Sequence, residues 1–390
     1  MTGTNRIYLD YAATTPLDPR ILEAMQAALS ADGGWANPAS SHWAGQAARA
    51  VVAEARAELA AQLGAKAEEF VFTSGATESD NLAIRGLAAA RRHQGRHFVT
   101  VKTEHKAVLD SCAALERAGM EVTYLQPATD GLLAPEQVER ALRDDTIGVS
   151  VMWVNNEIGV IQDIRAIGDI CRNRDVPLHV DAAQALGWLD VDLDRLPIDL
   201  MSITAHKLCG PKGVGALFVR EGIVLEPLLF GGEQERGLRP GTLAPHQIVG
   251  LAKAVELAAR PVERDHLARL GEQLKAGLLA LPDVRLNGHP RQRVPHITNV
   301  AFPGVSGEAL RFALQDVAVS AGAACSADDP DSSYVLRSLG LGDGLAQSSL
   351  RFSLGRFTSA AEVERALAQV QAARAELADW SAAVPGWFRR

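Results

Sequence analysis

The sequence predicts an α/β protein: a mostly parallel central sheet with helices on both faces, plus a smaller α/β domain. Three observations predict it. Short apolar runs alternate with helical stretches from about residue 69 to residue 219, as in a sheet built from strand–helix–strand units. After Pro261 the pattern changes to a long helical stretch, then mixed strands and helices. The 390 residues suffice for about two domains, and 47% hydrophobic residues fill a large core.

Taken in order, residues 41–63 are Ala-rich with apolar positions at helical spacing, and Gly64 follows as a stop. Residues 69–73 form a short strand. Thr73-Ser74-Gly75-Ala76-Thr77-Glu78 breaks it and opens a helix over about 79–92. Next come strand 97–101, helix 107–118, strand 121–125, strand 147–154 and helix 164–174. Strands 177–180, 200–204 and 216–219 follow. A helix over 261–281 and a last one over 360–380 belong to the second half. The expected division is a large domain over 16–260 and a small one combining 1–15 with 261–390.

Bulk properties exclude several classes. A net charge of -8 is not the basic surface of a nucleic-acid binder. No apolar run is long enough to cross a bilayer. Residues 1–6 are polar and lack the apolar core of a signal peptide. Cys112, Cys171, Cys209 and Cys325 form no Cys-x-x-Cys pair, so neither a zinc knuckle nor a thioredoxin-like motif is present. Few, scattered cysteines fit a reducing, cytoplasmic location.

Asp181 and Lys207 are the most informative pair. Each ends an apolar run, in His179-Val180-Asp181-Ala182-Ala183-Gln184 and Ser202-Ile203-Thr204-Ala205-His206-Lys207. A carboxylate at the end of a buried strand is costly unless paired. A lysine that bonds to a cofactor aldehyde and an aspartate that pairs with a pyridinium nitrogen are the two requirements of pyridoxal phosphate (PLP). Lys212, in a glycine turn, competes with Lys207, and Asp181 also reads as a helix N-cap.

Other residues gather around this reading. The small and hydroxyl residues from Thr73 through Ala76 and Thr77 form either a phosphate cradle at a helix start or a plain cap. His105 follows strand 97–101, where ligands bind in open α/β sheets, and an imidazole there stacks on a ring or stays a loop residue. Asn155, Asn156 and Gln184 are placed to address a cofactor oxygen, although Asn also ends strands for turn reasons. Thr204 and His206 flank Lys207 within reach of a phosphate. Arg351, with Arg356 as its alternative, offers a guanidinium for a substrate carboxylate.

Cys325 stands apart. Residues 320–333 are nearly all small or turn-forming, so this stretch buries little and is expected to be a mobile loop. The thiol reads as a nucleophile on a swinging arm, or as an incidental exposed cysteine. The other three cysteines read as small buried hydrophobes.

Taken together, these segments resemble the cysteine desulfurases of the NifS/IscS type, among the class V aminotransferase-like PLP enzymes. The matching stretches run in fixed order from Tyr8-Leu9-Asp10-Tyr11-Ala12-Ala13-Thr14-Thr15-Pro16 to Arg351-Phe352-Ser353-Leu354-Gly355-Arg356-Phe357. Between them lie Thr103-Glu104-His105-Lys106, Asn155-Asn156-Glu157-Ile158-Gly159 and Gln234-Glu235-Arg236-Gly237-Leu238-Arg239. The resemblance implies the aminotransferase-like fold (fold type I). It implies Lys207 as the cofactor lysine, Asp181 as the pyridinium partner, and His105 as the stacking and proton-handling group. Asn156 and Gln184 would address the cofactor oxygen, while Ala76, Thr77, Thr204 and His206 would hold the phosphate.

Thr242 would reach the neighbouring subunit's phosphate, which implies a homodimer. Arg351, with Asn156 assisting, would bind the carboxylate of L-cysteine. Cys325 would accept sulfur as a persulfide, and its long loop would pass it to an acceptor protein such as an iron–sulfur scaffold or a thiolation protein. A selenocysteine lyase, another PLP aminotransferase-like enzyme and a weakly catalytic assembly partner are the alternatives.

Ala323, Thr204 and Pro240 stand where the family usually has serine. Asp328, Asp329 and Asp331 crowd Cys325 with negative charge, which disfavours a thiolate; a resting thiol is expected.

Overall fold

A computed structural model of the chain describes residues 6–321 and 333–383. Its centre is a seven-stranded sheet. The strands of the protein are β1 (Ile7–Tyr8), β2 (Phe70–Thr73), β3 (His97–Val101), β4 (Glu121–Leu125), β5 (Thr146–Met152) and β6 (Leu178–Asp181). They continue with β7 (Leu200–Thr204), β8 (Gly215–Val219), β9 (Arg285–Leu286), β10 (Ile297–Ala301), β11 (Val317–Ala318) and β12 (Ser349–Ser353).

The central order is β2-β8-β7-β6-β5-β3-β4. All pairings are parallel except those of β8 with β7 and β2. Two antiparallel steps turn β2 back into the common direction. The C-terminal ends of β2, β3, β5, β6 and β7 therefore face one edge, where ligands settle in open α/β sheets. Thr73 and Thr204 both pair with Gly215, so two hydroxyls flank a glycine there.

Strands β3, β4 and β7 coincide with the apolar runs expected at 97–101, 121–125 and 200–204. β3, β5, β6, β7 and β8 are buried on both faces, as strands lying under two helix layers must be. The core on one side includes Leu59, Val149, Val180 and Leu251; on the other it includes Leu82, Phe98, Val108 and Leu217.

The helix expected over 79–92 begins earlier, at Ala76, and carries a π segment at Leu82–Gly86. Gly86 allows this tight path: a Cβ there would lie 2.7 Å from the Glu226 carbonyl. The helices Pro19–Leu29 and Pro245–Ala258 pack against each other, each opened by a proline whose missing N–H costs nothing in the first turn.

A second core gathers Ile7 and Leu9 with Leu274, Phe302, Leu310, Phe352 and Val370. It lies against the antiparallel sheet β12-β10-β9 and a two-stranded parallel pair, β1-β11. The long helices Pro261–Leu279 and Ala360–Ala383 close it. The N-terminal strand thus belongs to the core built by the last third of the chain. From there the segment Asp10–Thr15 crosses to the large sheet: Asp10 bridges Ser353, and Thr15 Oγ1 donates to the His206 carbonyl at 2.7 Å.

Candidate active site

The site forms where β6 and β7 end. Asp181 closes β6, opposite Met152 on one side and Ser202 on the other. Its Oδ1 accepts the Ala183 N–H at 2.9 Å. Burial raises its pKa, and His105 and Lys207 pull it back down. Alternation places His179 on the same face as Asp181. His179 bonds Ser150 through Nδ1 at 2.8 Å and Ser202 through Nε2 at 2.9 Å. Burial holds its pKa down at about 3, so it is neutral near pH 7. Asp80 lies 3.5 Å from the same Nε2, and Glu104 accepts the Met152 N–H at 2.8 Å.

Asp80, Glu104 and Asp181 form a buried carboxyl group of three. Burial raises the pKa of each, and neighbouring carboxylates push those of Asp80 and Glu104 up further. Such a cluster takes up a cation or holds protons.

Lys207 sits in a 3₁₀ turn directly after β7. Its ammonium donates to the carbonyls of Ala12 and Ala13, the latter at 2.7 Å. Gln184 Nε2 also donates to the Ala12 carbonyl, at 2.8 Å. The N-terminal crossing segment therefore forms one wall. Lys207 shares a cleft with Thr14, Ser74, Gly75, Ala76, Thr77, Thr204, His206, Lys212 and Gly213. At its floor, Gly215 must be glycine: a Cβ would meet the Ile203 carbonyl at 2.4 Å and Gly75 Cα at 2.8 Å. That close approach sets the Gly75 turn against the start of β8, where the Ser74 N–H donates to Glu78 Oε2 at 2.7 Å and the Gly75 N–H to Thr73 Oγ1 at 3.3 Å. His206 is kept neutral, its pKa lowered to about 4 by burial and by Lys207 and Lys212.

The two asparagines separate cleanly. Asn155 is structural: Nδ2 donates to the Thr103 carbonyl and Oδ1 accepts from Glu157 and Ile158 N–H. Asn156 keeps its side-chain Oδ1 buried without a hydrogen-bond partner among the described residues. The arginines separate too. Arg356 is committed to Asp18 at 2.8 Å and Glu263 at 2.7 Å. Arg351, on β12, has its side chain 1% exposed; Nη1 donates to the Asn156 carbonyl and Nη2 to Asp10, both at 2.8 Å. Its Nε has no partner among the described residues.

His105 caps the helix Lys106–Arg117, its Nδ1 accepting the Ala107 N–H at 3.1 Å. Thr242 is exposed and lies outside the cleft lining. Cys325, Ala323 and the acids Asp328, Asp329 and Asp331 lie outside the described residues. Cys112, Cys171 and Cys209 are buried, and burial raises each thiol's pKa.

The residues present fit PLP. A lysine amine, a set of buried carboxyls, an orphaned buried amide oxygen and a cleft edged by the hydroxyl residues Thr14, Ser74, Thr77 and Thr204 lie along one sheet edge. Reasoning from sequence missed Asp10, Asp80, Glu104 and Glu157. Glu157 is buried, its pKa raised by burial, and it accepts Ser333 Oγ at 2.5 Å.

The chain belongs to the class-V aminotransferase family, whose pattern it matches over residues 7–366. It is a PLP-dependent enzyme of that family. Its relatives include cysteine desulfurase IscS of Vibrio vulnificus (strain YJ016), 52% identical over 380 residues that cover 96% of this chain and 94% of the relative. Cysteine desulfurase IscS of Aeromonas salmonicida (strain A449) is 53% identical over 366 residues, 93% of this chain and 91% of the relative. Among solved structures, a NifS-like protein superposes with a TM-score of 0.89 at 33% identity, covering 95% of this chain and all of that one. SspA in complex with cysteine superposes at 0.81 and 38% identity, over 90% of this chain and all of that one.

Proposed function

We propose that this protein is a cysteine desulfurase that converts L-cysteine to L-alanine and leaves the sulfur on Cys325 as a persulfide. The observation that carries the reading is the convergence of Lys207, the buried Asp181 and the Ser74–Thr77 cleft on one sheet edge. Bound there, PLP supplies an electron sink conjugated to the α-carbon of an amino acid.

The chain's own residues do the rest. Asp181 would keep the ring nitrogen protonated, and Asn156 and Gln184 would orient the ring through its oxygen. Ala76, Thr77, Thr204 and His206 hold the phosphate, and Thr242 reaches that of the neighbouring subunit in a homodimer. Arg351 grips the substrate carboxylate, assisted by Asn156. Lys207 would hold the cofactor through its amine and, with that amine free, would move the substrate's α-proton. His105 would lie against the ring and would handle a second proton.

Cys325 Sγ attacks the substrate sulfur. The new S–S bond forms as the substrate Cβ–S bond breaks, and the electron pair passes to carbon, which takes up a proton. One cysteine and one thiol become one alanine and one persulfide, so atoms and electrons balance without an outside oxidant. The persulfide then passes to a sulfur-acceptor protein in the cytoplasm, such as an iron–sulfur scaffold or a thiolation protein.

Product analysis tests the reading. With L-cysteine and a reductant, the holoenzyme is expected to release alanine and sulfide in equal amounts, and Lys207→Ala neither. A keto acid product would indicate transamination instead. Equal turnover by Cys325→Ala would overturn the assigned sulfur acceptor.

A further inference from the structure

We propose that Asp10 is a release determinant: a built-in carboxylate that competes with the substrate carboxylate for Arg351. The inference rests on the assignment of Arg351 as the carboxylate-binding residue.

The geometry is particular. Arg351 is a fully buried cation, which needs a counter-charge. Among the described residues, its ion-pair partner is Asp10, through Nη2 at 2.8 Å. Nη1 is occupied by the Asn156 carbonyl. Of the five N–H bonds of a guanidinium, Asn156 and Asp10 take one each, and Nε–H remains unused. A substrate carboxylate docking side-on through Nε and Nη2 therefore arrives beside Asp10. Two carboxylates then share one guanidinium, and the local charge changes from neutral to -1.

Two consequences follow. With no ligand bound, Asp10 keeps Arg351 compensated and aimed, so the site is pre-organised. With ligand bound, repulsion between the carboxylates weakens the complex. Substrate and product carry the same carboxylate, so the repulsion loosens both complexes, and release of L-alanine is eased with it. The Asp10 side chain is 20% exposed, which moderates the repulsion without removing it.

The experiment titrates holoenzyme with L-alanine and follows the absorption of the bound cofactor. Asp10→Asn keeps an acceptor oxygen for Nη2 but removes the charge. It is expected to bind L-alanine about tenfold tighter, the low end of the cost of like charges set together. Asp10→Glu restores the charge and is expected to return the affinity toward that of the parent. Ethylamine, which lacks the carboxylate, is expected to bind parent and Asp10→Asn alike. Unchanged or weaker L-alanine binding by Asp10→Asn, with Arg351→Gln still losing it, would overturn the role of Asp10. Parent-like L-alanine binding by Arg351→Gln would instead overturn the underlying assignment of Arg351.

Discussion

Asp181→Asn is expected to move apo stability and cofactor affinity in opposite directions. Asp181 is fully buried beside Asp80 and Glu104, and burial raises its pKa. Without a cation its ionised form strains the site. Asparagine keeps an oxygen for the Ala183 N–H, now 2.9 Å from Oδ1, while removing the charge. Replacing an uncompensated buried charge by a neutral isostere is worth about 1 kcal/mol or more. That raises the apoprotein melting temperature by a few degrees.

The sign of the pH dependence follows from the raised folded-state pKa. Protonation favours the folded form, so Asp181's own contribution to stability is greatest at low pH and falls as pH rises above the ordinary carboxylate value of 3.8. The asparagine gain therefore vanishes near pH 4 and grows toward neutrality. With PLP the balance reverses. The pyridinium that Asp181 is proposed to pair would lose its buried counter-ion, a loss of about 3 kcal/mol, or roughly two orders of magnitude in PLP affinity. Melting curves of apo and PLP-loaded protein, with PLP affinity from absorbance, test both halves. An apo variant less stable than the parent, or unchanged PLP affinity, would refute the reasoning.

Three further outcomes follow from the same structure. His296 stacks on Trp188 at 3.9 Å, and burial, aided by Arg293, lowers its pKa from 6.5 to about 3. The unfolded chain takes up that proton first, so His296 costs stability as pH falls below 6.5. His296→Phe keeps a flat ring and is expected to gain about 2 kcal/mol on the parent by pH 5; parallel stability–pH curves would contradict this. Gly215→Ala drives a methyl into the Ile203 carbonyl and Gly75. It is expected to cost about 2 kcal/mol and to weaken PLP binding through its phosphate; unchanged melting and affinity would show that the cleft floor yields. Asn156→Ala leaves its carbonyl on Arg351 but removes the orphaned amide oxygen. A weaker L-alanine complex and a shifted cofactor absorption band are expected, and identical spectra and affinity would argue against contact with the ring.

Much of the fold is legible in the sequence because its strands are short apolar runs set off by turn residues. β3, β4 and β7 match their apolar runs for that reason. The helix at Ala76 starts before the apolar periodicity does, since its first turn is built for the cleft and holds polar Thr77, Glu78 and Ser79. The helices Pro19–Leu29 and Pro245–Ala258 were not among the elements expected from the pattern. The first has strong amphipathic spacing but sits beside the N-terminal crossing; the second is apolar nearly all round, a pattern that does not by itself distinguish a helix from a strand.

In the site, Asp181 and Lys207 stand out because charge at the end of an apolar run is expensive. The wall that touches Lys207 does not stand out, because it is made of the carbonyls of Ala12 and Ala13. Backbone acceptors leave no signature in side-chain type. Asp80 lies in a polar run, Ser79-Asp80-Asn81, that resembles a solvated helix face, yet it is fully buried against His179. Adjacent asparagines look equivalent in sequence; only the packing of Asn155 on Thr103 separates them.

The most direct test of the central claim is the mass of the Cys325 peptide. PLP-loaded protein is incubated with L-cysteine, without reductant, and digested. One added sulfur is expected on the Cys325 peptide and none on the peptides of Cys112, Cys171 and Cys209, with no added sulfur in Cys325→Ala. An unmodified Cys325 peptide from PLP-loaded protein that still consumes L-cysteine would contradict it.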